Sequence, residues 1–360
     1  MPDYKYWNAF KFFSGFNFIF FKKIINYFPS LEIAYNASFL ELRKAGLKEE
    51  TIEKFLETRK EIEPVREWEK LEKEGISLIT IEDKDYPALL KEIYDPPVVI
   101  YYKGILKKDG EKIGVVGTRK CTSYGLQATE KITGELVENG MEIVSGLALG
   151  IDTIAHSSAL EKNGCTIAVL GSGIDEKTVY PPQNRDLAKK IIEKGGALIS
   201  EYPCATPPLK QNFPLRNRII SGLSLGTLVI EAPYESGALI TARCALEHNR
   251  EVFAIPGNIY NRNSEGTNNL IKLGAHPVTS GKDILEALCL KQIIAPKDKK
   301  IIPRNKEEKI LLNFLSKEPI HIDKLVELSK LKTAIVTSSL ALMEIENKVK
   351  NLGGMNYVIN

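Results

Sequence analysis

The sequence predicts an α/β protein with a mostly parallel sheet, a small helical domain before it and a winged-helix-like domain after it. Two observations predict the sheet. Short apolar segments alternate with helical ones from residue 112 to about 288, and almost every apolar segment ends at glycine, serine or an acidic residue. A chain of 360 residues, 43% hydrophobic and 26% charged, is long enough for two or three soluble domains.

Residues 1–80 are predicted to form a helical domain, because apolar side chains recur there at helical spacing. One helix should end at Gly46 and another begin near Glu49. Two helices joined at a glycine could form a helix-hairpin-helix or SAM-like unit that touches the DNA backbone. The glutamates that follow Gly46 favour a packing role instead.

The Phe-rich stretch 10–28 is expected to be a core helix and not a membrane segment. Its lysines leave about ten uninterrupted apolar residues, whereas roughly twenty are needed to span a bilayer. The five cysteines are widely spaced and include no C-x-x-C, which is typical of a reduced cytoplasmic protein.

Residues 81–290 are predicted to form the sheet-containing core. Its strands are expected at 113–116, 142–144, 166–170, 198–200, 227–230 and 252–255. The carboxyl ends of parallel strands meet at one edge of the sheet, where ligands bind. Glycine turns at that edge let backbone amides approach a phosphate closely.

Two windows without acidic residues, 112–129 and 202–230, carry the strongest functional signal. The first contains Arg119 and Lys120 directly after a predicted strand. The second contains Lys210, Phe213 and two further arginines before a helix rich in small residues. If the windows lie side by side, they form a cationic groove with a stacking face, which suits a nucleotide chain.

Other kinds of site have little support. No G-x-G-x-x-G or G-x-x-x-x-G-K-[ST] occurs, so no nucleotide cofactor is expected. The four histidines lack metal-ligand spacing, so no metal site is expected either. Carboxylates stand at several turns, where capping a helix or holding a loop amide is a commoner role than general base catalysis; they are Asp152, Asp175, Glu201 and Glu231.

Residues 291–306 are predicted to be a basic, flexible linker. Residues 307–360 then follow the winged-helix order, with helices near 308–315, 322–328 and 332–345 and a hairpin at 349–359 that turns at Gly353 and Gly354. Seven lysines balance seven acidic residues from Glu307 onward. This zero net charge favours protein contact or a degenerate wing over DNA binding.

These residues together resemble the DNA-processing protein A family, also called DprA or Smf, over nearly the whole chain. The upstream motifs are Asp85-Tyr86-Pro87 and Asp95-Pro96-Pro97. The motifs in the core are Gly117-Thr118-Arg119, 145–148 with Gly150-Ile151-Asp152, 168–175 with Tyr180-Pro181, 200–203, 212–224, 236–242, Pro256-Gly257 and Gly266-Thr267-Asn268. So many motifs in the same order make a chance match implausible.

The resemblance implies an extended Rossmann-like core and a cytoplasmic bacterial homodimer. It implies that the protein binds incoming single-stranded DNA and helps load the recombinase RecA in natural transformation, with no catalysis. In the family, a G-[ST]-R arginine, a lysine and a phenylalanine line the DNA pocket, and they fall on Arg119, Lys210 and Phe213. The predicted DNA-binding residues are Gly117, Thr118, Arg119, Ser145, Gly146, Gly171, Lys210, Phe213, Arg216, Asn217 and Arg218.

The chain departs from the family pattern at Cys204-Ala205, where Pro-Gly is common, and at Asn269, where a basic residue is frequent. Both departures concern loop geometry. For Phe213, the alternative to base stacking is a core role that anchors the following helix.

Two alternative functions stay open. The first is a phosphoribohydrolase, although segment 233–241 lacks the paired glycines and the downstream glutamate of P-G-G-x-G-T-x-x-E. The second is a nucleotide-sensing module that uses the same groove for a mononucleotide.

Overall fold

The structure is a computed structural model that describes residues 4–290, 303–316, 318–346 and 348–359. The chain divides into two compact units, Met1–Ile293 and Ile294–Asn360. Within the described ranges, no helix combines the length and the apolar character needed to cross a bilayer. The domain boundaries predicted at residues 80, 290 and 306 stay predictions, and most of the predicted linker lies outside the described residues.

The first unit begins with a bundle of short helices. They are α1 (Tyr4–Lys11), α2 (Phe18–Tyr27), α3 (Leu31–Asn36), α4 (Phe39–Lys44), α5 (Glu49–Glu61) and α6 (Pro64–Lys73). Gly46, with a φ of +83°, follows α4 as predicted. The Phe-rich stretch 10–28 is not the single helix predicted, because residues 12–17 connect α1 to α2. It does supply the core of the bundle, where the Phe10 ring stacks on Phe16 at 5.0 Å and on Phe55 at 5.1 Å.

A mixed sheet follows, with nine strands among residues 4–290. They are β1 (Ser77–Thr80), β2 (Val99–Gly104), β3 (Lys112–Val116), β4 (Glu142–Ser145), β5 (Thr166–Leu170), β6 (Ala197–Ser200), β7 (Gly226–Val229), β8 (Glu251–Ala254) and β9 (His276–Pro277). Their order is β1-β2-β6-β5-β4-β3-β7-β8-β9. The seven strands from β3 to β9 pair in parallel. β2 pairs antiparallel with β6, and β1 pairs antiparallel with β2.

All six predicted strands are present, displaced by at most one residue at either end, and the predicted fold class is confirmed. In the parallel part of the sheet, the strands from β3 to β6 follow one another in one direction, and those from β7 to β9 follow in the other. The strand order therefore reverses between β3 and β7. In open α/β sheets, ligands bind outside the carboxyl ends of the strands at such a point.

Helices cover both faces of the sheet. They are α7 (Ala88–Lys91), α8 (Ser123–Glu138), α9 (Ile151–Glu161), α10 (Arg185–Glu193), α11 (Asn212–Gly222), α12 (Gly237–Glu247), α13 (Glu265–Lys272) and α14 (Gly281–Ala287). Residues of α8, α9 and α14 share one hydrophobic core with the sheet, and those of α11 and α12 belong to the other. The helix α11 therefore has a buried face and also begins at the ligand-binding edge.

The second unit has the predicted winged-helix order. It contains α15 (Lys306–Leu312), β10 (Ile320–His321), α16 (Ile322–Ser329), α17 (Thr333–Ile345), β11 (Val349–Asn351) and β12 (Asn356–Ile359). The hairpin turns at Gly353 and Gly354, both with positive φ. The buried side chains of Leu311, Leu325 and Leu340 form part of its core.

Candidate nucleic-acid interface

The loop after β3 is anchored by Glu231, which stands two residues after the end of β7. The Glu231 carboxylate is buried and accepts hydrogen bonds from the Thr122 backbone N–H at 2.9 Å and from its hydroxyl at 2.5 Å. The backbone N–H of Thr118 donates to the Glu231 carbonyl at 2.7 Å. These bonds hold the loop while Arg119 and Lys120 extend into solvent.

Gly117 is required here by close packing. A Cβ at Gly117 would lie 2.5 Å from Cγ1 of Ile151, which is far inside van der Waals contact. The loop after β3 therefore sits directly against the beginning of α9.

The turn after β4 has a comparable support. The buried Asp152 carboxylate accepts from the backbone N–H of Gly146 at 3.0 Å and of Ala148 at 3.3 Å. Ser145 is fully buried, and its hydroxyl donates to the Val115 carbonyl at 2.6 Å. Ser145 is thus a structural link between β4 and β3, and Gly146 lies beside it at the sheet edge.

The half-buried Phe213 lies in the first turn of α11, above the end of β5. A Cβ at Gly171 would lie 3.0 Å from the Phe213 ring, so glycine at this position leaves room for the ring. The Arg119 guanidinium stands 5.9 Å from the centre of the Phe213 ring, within the range of a cation–π contact. Two residues predicted from separate windows are therefore neighbours in space.

Lys210 is exposed in the turn that precedes α11, three residues before Phe213. Within the described ranges, neither Lys210 nor Arg119 forms an ion pair or a side-chain hydrogen bond. Both cations are consequently available to a phosphate.

The other three predicted site residues of α11 bond to partners inside the protein; they are Arg216, Asn217 and Arg218. Arg216 is 5% exposed and donates to the carbonyls of Gly146, at 2.8 Å, and Val169. Burial lowers the pKa of its guanidinium to about 10, so Arg216 is charged at neutral pH. Asn217 is also buried and donates to the Gly237 carbonyl at 3.3 Å.

Arg218 belongs to an ion cluster between α11 and the helical bundle. It donates to Glu201 at 2.7 Å and to Asp95 at 3.5 Å, and Lys11 of α1 reaches Glu201 at 3.4 Å. Burial alone would raise the pKa of Glu201, but Lys11 and Arg218 together lower it below its ordinary value. Arg218 therefore neutralises a carboxylate inside the protein.

Asp175 also holds a loop, as the sequence predicts, whereas Glu201 pairs with the side chains of Lys11 and Arg218 instead. Asp175 accepts from the Ala205 backbone N–H at 2.8 Å and from the Thr178 hydroxyl at 2.7 Å. Across the described part of the chain, no three histidine, cysteine or acidic side chains come together as a metal site would require.

Comparison with known proteins decides the family. The family model for DNA recombination-mediator protein A matches residues 77–289, and the DprA winged helix domain model matches residues 295–355. The chain belongs to the DNA recombination-mediator protein A family. The resemblance seen in the sequence is thereby confirmed.

Similar members of the family include Protein Smf of Synechocystis sp., which is 38% identical over 98% of both chains. The DNA processing protein DprA of Streptococcus pneumoniae is 48% identical over 57% of this chain and 72% of its own. The X-ray structure of the latter covers 79% of this chain and 98% of its own, with a TM-score of 0.67 and 39% identity. DNA processing protein A from Helicobacter pylori, whose structure was described for its single-stranded DNA binding mode, is 31% identical with a TM-score of 0.53, over 59% of this chain and 95% of its own.

Sequence reasoning missed Tyr180 as a site residue of this DprA-family protein. Its ring centre lies 5.8 Å from that of Phe213, and the side chain is 41% exposed. The only signal was the Tyr180-Pro181 pair among the family motifs. The structure adds Tyr180 to the aromatic surface beside Arg119.

At the Cys204-Ala205 departure, Ala205 has a φ of +64°, which lies in the left-handed region that favours glycine. The hydrogen bond from Ala205 to Asp175 holds the loop in that conformation.

Proposed function

We propose that this chain binds single-stranded DNA at the carboxyl edge of its sheet, through Arg119, Lys210 and Phe213. The observation that carries the proposal is the exposed Arg119 guanidinium beside the Phe213 ring. A second cation, Lys210, lies three residues before Phe213 and has no ion pair within the described residues. Cations that track a phosphate backbone, together with an aromatic ring on which bases stack, are the usual elements of sequence-independent single-strand binding. Tyr180 extends the stacking surface.

We assign the neighbouring loops a supporting role in the proposed site. Gly117, Thr118 and Gly146 stand in the turns after β3 and β4, where the N–H groups of Thr118 and Gly146 donate to the Glu231 carbonyl and the Asp152 carboxylate and so fix the loops beside Arg119. Gly171 leaves room for Phe213, and Ser145 acts by holding β4 against β3. We assign Arg216, Asn217 and Arg218 an indirect role, since they position α11 from the inside.

Membership of the family supports a wider role. We propose that the protein acts as a cytoplasmic homodimer that protects incoming single strands and helps load the recombinase RecA in natural transformation and recombination. The H. pylori relative supports the DNA-binding part of this role, because its structure was described for its single-stranded DNA binding mode.

We further propose that the chain turns over neither nucleotides nor sugars. The phosphoribohydrolase alternative needs a free general base, and both oxygens of Glu231 are engaged with Thr122 and Asn263. Incubation with nucleoside monophosphates and triphosphates should give only background product. Turnover that Glu231→Ala abolishes would revive the hydrolase.

The direct test uses Phe213→Ala and the matched control Lys60→Ala, an exposed cation in α5. One stacked base contributes roughly 1–3 kcal/mol, so Phe213→Ala should weaken binding of a single strand by about 5-fold to 150-fold and leave its salt dependence nearly unchanged. Lys60→Ala should bind like the wild type. A folded Phe213→Ala protein with wild-type affinity would remove Phe213 from the site.

A further inference from the structure

A cavity opens at the carboxyl edge of the sheet, beyond β8 and apart from the Phe213 site. Its volume is about 430 Å³, which is within the usual range for a small-ligand site. Its walls combine one aromatic ring with amide side chains and exposed backbone; they are formed by Tyr124, Pro256, Gly257, Asn258, Asn261 and Ser264. This mixture suits a flat, polar-edged ring such as a nucleobase.

The cavity walls are held in place by hydrogen bonds. The Tyr124 hydroxyl donates to the Pro256 carbonyl at 2.8 Å, which fixes the ring while leaving the side chain 46% exposed. The Asn268 side chain bonds both the N–H and the carbonyl of Gly257, at 3.1 and 3.0 Å. The cavity is therefore preformed.

The loop that forms this cavity is tied to the loop that carries Arg119. The Asn263 amide donates to the Lys120 carbonyl at 2.9 Å and to the Glu231 carboxylate at 3.4 Å. The two loops therefore form one continuous surface, and Lys120 lies between the Phe213 site and the cavity.

The tip of the same loop exposes two large apolar side chains. Ile259 is 78% exposed and Tyr260 is 92% exposed, and the Tyr260 backbone N–H donates to the Asn258 side chain at 2.9 Å. Tyr260 does not itself line the cavity, but it stands in the chain between the lining residues Asn258 and Asn261.

Charge near the cavity is mixed. Lys120 and Arg262 are exposed, and neither forms an ion pair among the residues that the structure describes. Glu235 and Glu265 stand exposed in the adjoining segments. Stacking and hydrogen bonding, rather than net charge, must therefore supply most of the affinity at this place.

We propose that this cavity is a second subsite, which binds a nucleobase of the same single strand on Tyr124 and Tyr260. The inference rests on the proposed function. Four strand spacings of about 4.8 Å separate the ends of β5 and β8, so the two subsites lie roughly 19 Å apart. A stacked strand, which rises about 3.4 Å per nucleotide along its axis, needs roughly six nucleotides to cover that distance. A trinucleotide is too short to occupy both subsites.

The test compares the affinities of dT3 and dT12 for the full chain and its variants. Tyr260→Ala and Tyr124→Ala should each weaken dT12 binding by at least about 5-fold and leave dT3 binding unchanged, whereas Phe213→Ala should weaken both. Tyr94→Ala, at an 89% exposed tyrosine between α7 and β2, is the matched control and should change neither. Because Tyr260 is almost fully exposed, its variant separates lost binding from misfolding, and thermal melts check both variants.

Wild-type affinity of both tyrosine variants for dT12 would overturn the second subsite. Equal losses for dT3 and dT12 would overturn it as well. A Tyr260→Ala protein with altered sedimentation and unaltered DNA affinity would assign this surface to a second copy of the chain instead. If the wild type binds neither oligonucleotide, the proposed function itself fails, which is a distinct result.

Discussion

Arg119→Ala and Arg216→Met should have opposite signatures, although both arginines stand in acid-free windows of the sequence. Arg119 is exposed and carries no ion pair within the described residues, so its loss should reduce phosphate binding and leave stability intact. Arg216 is 5% exposed and donates to two backbone carbonyls, so its loss should destabilise the fold.

The two variants should change different quantities: Arg119→Ala the salt dependence of binding, and Arg216→Met the stability of the fold. One lost phosphate contact on a single strand lowers the slope of log affinity against log salt by about 0.7. From 50 to 200 mM salt, the affinity of Arg119→Ala should therefore fall about 2.6-fold less than that of the wild type. Arg216→Met leaves the carbonyls of Gly146 and Val169 without their buried donor, a loss of about 1–3 kcal/mol for each carbonyl. At roughly 2 °C per kcal/mol for a unit of this size, the Tm should fall by about 4–12 °C.

The assay pairs fluorescence anisotropy of a labelled dT20 over a salt series with calorimetric melting of each variant. An unchanged salt slope in Arg119→Ala would refute its assignment as a phosphate contact. A stable Arg216→Met protein with a reduced slope would refute the assignment of Arg216 to an internal role.

Three further outcomes are expected. Glu201→Gln should lower the Tm by several degrees at pH 7, because it leaves Lys11 without its counter-charge and Arg218 with Asp95 alone. The pKa of this carboxyl is lowered from 4.5, so the wild-type advantage should be full above pH 4.5 and shrink as the pH falls below it, which calorimetry at pH 7 and pH 3 checks. Gly117→Ala should destabilise the protein by about 1–3 kcal/mol in urea melts, whereas the control Gly237→Ala, whose Cβ would meet no described atom within 4 Å, should not. Ala205→Gly should raise the Tm by relieving the left-handed strain at a φ of +64°, and a lower Tm would contradict that.

The parallel part of the sheet could be predicted because its strands are short apolar runs that end at glycine or acidic turns. The antiparallel strand β2 could not, since its place in the sheet depends on residues far along the chain: Tyr101 lies opposite Ser200. Ser200 belongs to β6, almost one hundred residues away.

The candidate site could also be predicted only in part from the sequence. Exposed cations in two acid-free windows indicate a phosphate-binding edge, and the structure brings Arg119 to Phe213. A sequence does not show which way a cation points, however. Arg216 faces inward because the carbonyls of Gly146 and Val169 lie beneath α11. These carbonyls belong to the turn after β4 and to β5, 70 and 47 residues earlier in the chain.

Single-strand binding at this edge can be measured by comparing two affinities of the wild-type protein at one fixed salt concentration. One is for a dT20 strand and the other is for a blunt duplex of the same length. We predict tighter binding of the single strand, because unpaired bases can stack on Phe213 and Tyr180 whereas paired bases cannot. Equal or tighter binding of the duplex would contradict the account.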